Sequence, residues 1–262
     1  MRRKASRALV TAAFLVVLLP ATGHSALYDC GVRSLYFAGW GEGSSGIENL
    51  VGTTASIETR TPDLCPHFAP GDPPGGTYFN DSSAWTMITP GAGAYTGWVQ
   101  SGFVKRAGIQ VQILIEELKQ ASSTTCPDFC TYYLESVTNG SQHTHKQAFC
   151  SSCKDGHAAI QTIIDGVVRN TTPWNPVSVW GPVSGWESQW AGETQRASTD
   201  IGGDNALRVV FRNMQVQPYG GGAWHSPAAP IGVLSPSHPR ALQSTINVNT
   251  FQMWCSASCD PA

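Results

Sequence analysis

From Ser83 onward the chain repeats one pattern of apolar and polar positions: short runs in which large residues alternate with small or polar ones. "SAWTMI", "YTGWVQSGFV", "IQVQILIEEL", "TYYLESV", "HAAIQTIIDGVVRN", "VSVW", "WESQWAGET", "ALRVVFRNMQV" and "INVNTFQMW" are rich in β-branched and aromatic residues. Such residues suit a pleated, half-buried surface, and the period of two suits a strand. Asp165-Gly166, between "QTII" and "VVRN", is a two-residue hairpin signal. No stretch holds a helical period. "IEELKQA" could form a turn of helix, but the β-branched run before it favours a strand. About nine strands without intervening helices predict an all-β fold, an antiparallel two-sheet β-sandwich of jelly-roll or concanavalin-like type.

The first 80 residues read differently. Residues 1–26 carry Arg2, Arg3, Lys4 and Arg7, then the apolar run Ala8–Leu19, then small residues. This is the three-part layout of a secretory signal, with an apolar run too short to span a bilayer. Residues 27–80 read as a loop-rich N-terminal segment, since "TPDLCPHFAPGDPPGG" forbids long regular structure. Residues 81–262 are then the sandwich domain, with a further loop over 219–240. A secreted, extracellular protein is expected, with no membrane contact once the signal is cleaved.

Export changes the reading of the eight cysteines. Cys126, Cys130, Cys150 and Cys153 have roughly the spacing of a four-thiolate zinc site. In an oxidising compartment an even count reads instead as disulfides, and we expect a disulfide-stabilised sandwich without metal. The signal takes four of the 16 Lys+Arg and none of the 18 Asp+Glu, so the remainder is more acidic than the whole chain's net −2. That argues against nucleic acid and anionic membranes as partners. Asn80, Asn139 and Asn170 sit in glycosylation sequons.

Alternation also sorts candidate chemistry by face. In "WESQWAGET", Glu187, Gln189, Ala191 and Glu193 share one face, opposite Trp186, Ser188, Trp190 and Gly192. The tryptophan face reads as core, and the other as water or a groove. In "YTGWVQSGFV", Gln100 shares its face with Trp98 and Gly102. A large amide between an aromatic wall and a gap is unlike an ordinary solvated face.

These motifs resemble those of secreted glutamic peptidases. "WAGETQRASTDIGG", followed by "LRVVFRNMQV", is similar to the late signature of the neprosin family, bacterial-type secreted members included. Trp190, Ala191, Gly192, Glu193, Gly202, Gly203, Phe211, Arg212 and Asn213 match it. "WVQSGFV" resembles the strand that carries that family's other catalytic glutamate, with Gln100 in its place. The Gln/Glu pairing is that of the eqolisins, although the eqolisin glutamate precedes a Trp, which would select Gln189 and leave no acid. The match of Glu193 continues into the next strand and is preferred. The resemblance covers roughly 83–217.

The resemblance implies a peptidase acting on a polypeptide substrate without a cofactor. Glu193 would be general base and then acid, and Gln100 the oxyanion partner on a neighbouring strand. Trp98 would form a wall, with Gln189 and Glu187 contacting substrate. With an ordinary carboxyl pKa of about 4.3 such a site would work in acid. Two rivals remain. A lectin-like, non-catalytic module would use the nine Trp and seven Tyr as sugar platforms. A glycoside hydrolase would need a second carboxylate facing Glu193, from Glu116, Glu117 or Glu135. His143 and His145 on one strand face are weaker metal candidates explained more simply by an exposed strand, Asp200 and Asp204 around the glycine pair could bind calcium but suit turn chemistry equally well, and His24 as an N-terminal copper ligand has nothing else in the chain that resembles such an enzyme. The sequence leaves oligomeric state open.

Overall fold

The computed structural model describes residues 36–255 apart from 44–48, 63, 65–80, 92–96, 107, 121–124, 127, 195–200, 202, 204–206, 229–232 and 235–240. In chain order the strands are β1 (Tyr36–Gly43), β2 (Leu50–Glu58), β3 (Asp81–Thr89), β4 (Trp98–Arg106), β5 (Gln112–Leu118), β6 (Phe129–Ser136) and β7 (Gln142–Lys154). They continue with β8 (His157–Ile164), β9 (Val167–Thr171), β10 (Glu187–Thr194), β11 (Val209–Pro218), β12 (Val233–Leu234), β13 (Ala241–Asn247) and β14 (Thr250–Cys255). They build a sandwich of two antiparallel sheets. The first runs β12-β1-β10-β3-β4-β5-β6, and the second β13-β14-β11-β2-β7-β8-β9.

The segment read as loop-rich contributes β1 and β2, and both sit inside the sheets. Three glycines on one face of β1 (Gly39, Gly41 and Gly43) erase the large/small contrast that marks a strand, while Ala38 and Trp40 on the other face are core. "VSVW" is a correction: it is the helix α1 (Pro176–Trp180), not a strand. The Asn175 side chain accepts from the amides of Val177 and Ser178, and Pro176 opens the first turn. These are helix-start devices that outweigh the β-branched composition.

The expected hairpin forms at Asp165-Gly166, and both residues take positive φ, 51° and 79°. That is what a tight two-residue turn between twisted strands requires. The core lies between the sheets. Trp40, Phe211 and Phe251 stack there, and Trp186 and Trp190 are fully buried. The Trp190 indole donates to the carbonyl of Thr54 at 3.0 Å and Ser188 donates to that of Gly52 at 3.0 Å, tying β10 to β2 across the sandwich. The tryptophan face of β10 is therefore core, and Glu187, Gln189, Ala191 and Glu193 lie on the outer face of the first sheet.

Two disulfides close short loops, Cys126–Cys130 and Cys150–Cys153. The four cysteines considered for zinc are thus oxidised. No described cysteine is free.

Candidate active site

Strand register turns the outer face of the first sheet into rows. Gln189, Met87, Gln100, Glu116 and Thr131 lie level across β10, β3, β4, β5 and β6. The next row holds Gly39, Ala191, Trp85, Gly102 and Leu114. One row further lie Glu193, Ser83 and Val104. At the other end, Glu187 is level with Thr89, while Trp98 is level with Leu118 and Phe129. Every candidate site residue is therefore on one face.

The second row requires its glycines. A Cβ on Gly102 would lie 1.8 Å from the carbonyl oxygen of Ala84, and one on Gly39 2.2 Å from that of Trp190. Gly192 answers to the opposite side, where a Cβ would meet Met253 in the core. Close strand approach in this row lets the sheet curve.

Gln100 is 5% exposed, and its amide nitrogen donates to the Glu116 carboxylate at 2.6 Å. Thr131 donates to the other carboxylate oxygen at 3.2 Å. Burial raises Glu116, while these two hydrogen bonds and the charge of Arg106 pull it down. Glu193 is pushed up to about 8, chiefly by burial, then by the negative charges of Glu116 and Asp81, with the Trp85 indole acting the other way.

Gln100 and Glu193 share a sheet and a face, but β3 lies between their strands, and they are four residues out of level. On a flat sheet that separates Glu193 from the Gln100 row by about 13 Å along the strand. The sheet is not flat. Each step between strands rotates by roughly 20–25°, so β10 and β5 are turned by roughly 60–75°. One diagonal of such a saddle is concave, and side chains along it lean together. The Glu116 charge acts on Glu193, so the two carboxyls lie within reach of one another's field although β3 and β4 separate their strands.

The other candidates separate cleanly. Gln189 is 3% exposed and its amide donates to Glu187 at 3.1 Å. Trp98 packs beside the Trp85, Met87 and Ala191 cluster as a wall. Glu117 points between the sheets, hydrogen-bonded by Asn170, and is raised to about 7 by burial. Glu135 pairs with Arg169 at 3.2 Å on the opposite side. Glu116 alone of those three carboxylates faces the groove.

His143 and His145 do not form a metal site. His143 pairs with Asp165 at 2.8 Å, whereas His145 is buried against Ser101 and held neutral, near 3, by burial. No metal-binding cluster of acidic, histidine and cysteine side chains occurs among the described residues. Asp200, Asp204, Gly202 and His24 lie outside them. Phe211-Arg212-Asn213 is structural. Phe211 stacks in the core, Arg212 lies 3.8 Å from Glu58, and Asn213 takes φ 54° at a break in register with β2.

Sequence reasoning missed the Gln100–Glu116 bond. Counting parity back from "WVQSGFV" into "QILIEEL" could separate an outward Glu116 from an inward Glu117, but not the register that sets Glu116 opposite Gln100.

No protein-family model and no curated protein sequence matches the chain. Among solved structures, scytalido-glutamic peptidase with a peptide-based transition-state analogue matches with a TM-score of 0.51 at 12% identity, over 85% of this chain and 98% of that one. A second structure of that peptidase, with a transition-state analogue inhibitor, gives 0.52 at 12% identity over the same shares. The likeness is one of fold.

Proposed function

We propose that this chain, built on a fold shared with a glutamic peptidase, is an exported peptidase working with the Gln100, Glu116 and Glu193 side chains. The observation that carries the reading is the 2.6 Å bond from the Gln100 amide to the Glu116 carboxylate on the face that also bears Glu193. Two carboxyls whose surroundings separate their ionisations make an acid and a base. Burial, and after it the Glu116 charge, keep the Glu193 proton in place.

The division of labour follows. The Glu116 carboxylate accepts from Gln100 and Thr131 and retains lone pairs for a water. It takes the proton of that water as the water attacks the scissile carbonyl. The amide of Gln100 has a second N–H, which meets the developing oxyanion. Glu193, protonated below about 8, gives its proton to the leaving amine. The Gln/Glu dyad is retained, with Glu193 as acid first and Glu116 as the base. Trp98, Gln189 and Glu187 line the substrate groove. Activity lies below about 8, where Glu193 keeps its proton, and above the raised ionisation of Glu116. The signal over residues 1–26 and the disulfides support an extracellular site of action.

The same carboxyl pair favours one second reading, glycoside hydrolysis, which also needs a protonated acid opposite a carboxylate. One assay separates them: wild type against casein and against soluble β-glucan, from about pH 3 to 9. Casein cleavage lost in Glu193→Gln supports the peptidase, and glucan cleavage alone supports the second reading. An inactive wild type beside an active Gln189→Glu variant would assign the chain to non-catalytic binding, with the acid position vacated at Gln189.

A further inference from the structure

The first sheet ends in an open strand beside the carboxyl pair. In β6, Tyr132, Tyr133 and Leu134 are 37%, 38% and 37% exposed. Among the described residues no strand pairs with the outer edge of β6, since the sheet order stops there. The direction of its backbone groups follows from one bond. The Lys119 amide donates to the carbonyl of Asp128 at 2.7 Å, which makes that pair hydrogen-bonded. Antiparallel ladders alternate, so Cys130 and Tyr132 direct their backbone groups at β5. Thr131 and Tyr133 then present N–H and C=O outward.

An edge of this kind is usually blunted by Lys, Pro or a covering segment. "FCTYYLES" has neither Lys nor Pro, and its one charge, Glu135, is engaged by Arg169 of β9. The other edge of the sheet, β12, has two residues. The Cys126–Cys130 disulfide fixes the start of β6. The strand is thus preordered, sticky and continuous with the groove, because Thr131 is bonded to Glu116.

We propose that the free edge of β6 docks an extended segment of a polypeptide as an eighth strand of the first sheet, next to the carboxyl pair. The choice of occupant rests on the peptidase reading. An unfolded chain supplies the ladder hydrogen bonds without sequence preference, and its alternate side chains fall beside Tyr133 and Phe129 on the groove face. The docked segment is not the one cleaved. It holds a long substrate while another part of it crosses the row of Gln100 and Glu116.

The test uses the full chain carrying Glu193→Gln, so that binding is read without turnover, and a fluorescent, unstructured casein fragment. Hydrogen exchange at the Thr131 and Tyr133 amides should slow on binding. Tyr133→Pro removes an outward N–H at an edge position that tolerates proline, and should weaken binding about tenfold, the worth of one or two net hydrogen bonds. Tyr133→Ala keeps the N–H and should cost less. Should Tyr133→Pro disturb β6, alternately N-methylated peptides provide the same reading: one methylation phase binds and the other does not. Equal loss in both variants, unchanged exchange, or binding blind to methylation phase would overturn the proposal. So would a wild-type dimer that Tyr133→Pro splits, since a second copy would then own the edge. Casein bound at β6 but never cleaved by wild type removes the peptidase and leaves the docking strand. Cleavage without protection at β6 does the reverse.

Discussion

Gln100 and Glu116 stand directly opposite one another on β4 and β5, and the amide of the first donates to the carboxylate of the second at 2.6 Å. This bond fixes the plane of the amide and leaves its second N–H free to aim into the groove. Gln100→Ala should lower kcat about 10²–10³-fold with little change in KM, because the lost contact forms chiefly with the oxyanion. Steady-state kinetics on a casein-derived peptide measure it. An equal rise in KM would show that Gln100 merely holds substrate.

Glu116→Gln removes both the proposed base and the charge that raises Glu193. Hydrolysis should fall to background. The carboxyl resonance of Glu193, followed by carbon NMR, should titrate below its wild-type midpoint near 8. An unmoved midpoint would break the proposed coupling.

Glu193→Gln should abolish hydrolysis without unfolding the chain. Below about pH 4.5 the two proteins should unfold at the same urea concentration, since a neutral carboxyl and an amide are alike to a buried site and the unfolded chain also keeps its proton there. From about 4.5 upward the variant should become progressively the more stable, because the unfolded wild type sheds a proton that the folded site keeps, and the gap should be complete above about 8.

Stability itself should peak in acid. Glu193 near 8 and Glu117 near 7 keep protons that the unfolded chain sheds around 4.5. Their contribution is complete below about 4.5 and is lost as pH rises through 7 and 8. His145 runs the other way: held near 3 against a usual 6.5, it stabilises fully above 6.5 and loses this as pH falls towards 3. Between 4.5 and 6.5 the carboxyls, Glu116 included, outnumber the imidazole. The melting temperature should be highest near pH 4.5–5 and fall steadily to pH 9.

The curved row makes a steric prediction. Gly102→Ala should cost about 1–3 kcal/mol, because strands β3 and β4 must part to admit the methyl group. Gly41→Ala, whose Cβ would meet nothing nearer than 3.6 Å, should stay within about 0.5 kcal/mol. Chemical unfolding of the two variants decides it.

Much of this architecture is legible in the chain. Alternation in Glu187–Thr194 is enough to put Trp186 and Trp190 in the core and Glu193 in the groove, because a strand's period of two leaves no other choice. Asp165-Gly166 announces its turn through the positive φ such a hairpin demands. The helix at Pro176 hides behind valines, although Asn175-Pro176 marks its start. β1 hides behind glycines whose purpose, the approach of β10, is tertiary. The site shows the same division. Parity puts Gln100 and Glu193 on one face, but register between distant strands depends on the whole sheet, and so does the pairing of Gln100 with Glu116.

The carboxyl pair communicates across strands rather than through adjacency. Two strands, β3 and β4, separate β10 from β5, yet Glu193 still lies in the field of the Glu116 charge. A guest that fills the groove deepens the burial that already holds the Glu193 proton, so binding above about 8 should take up protons. Occupancy of the groove is then read out in protons, and calorimetry in buffers of different ionisation heat would count them.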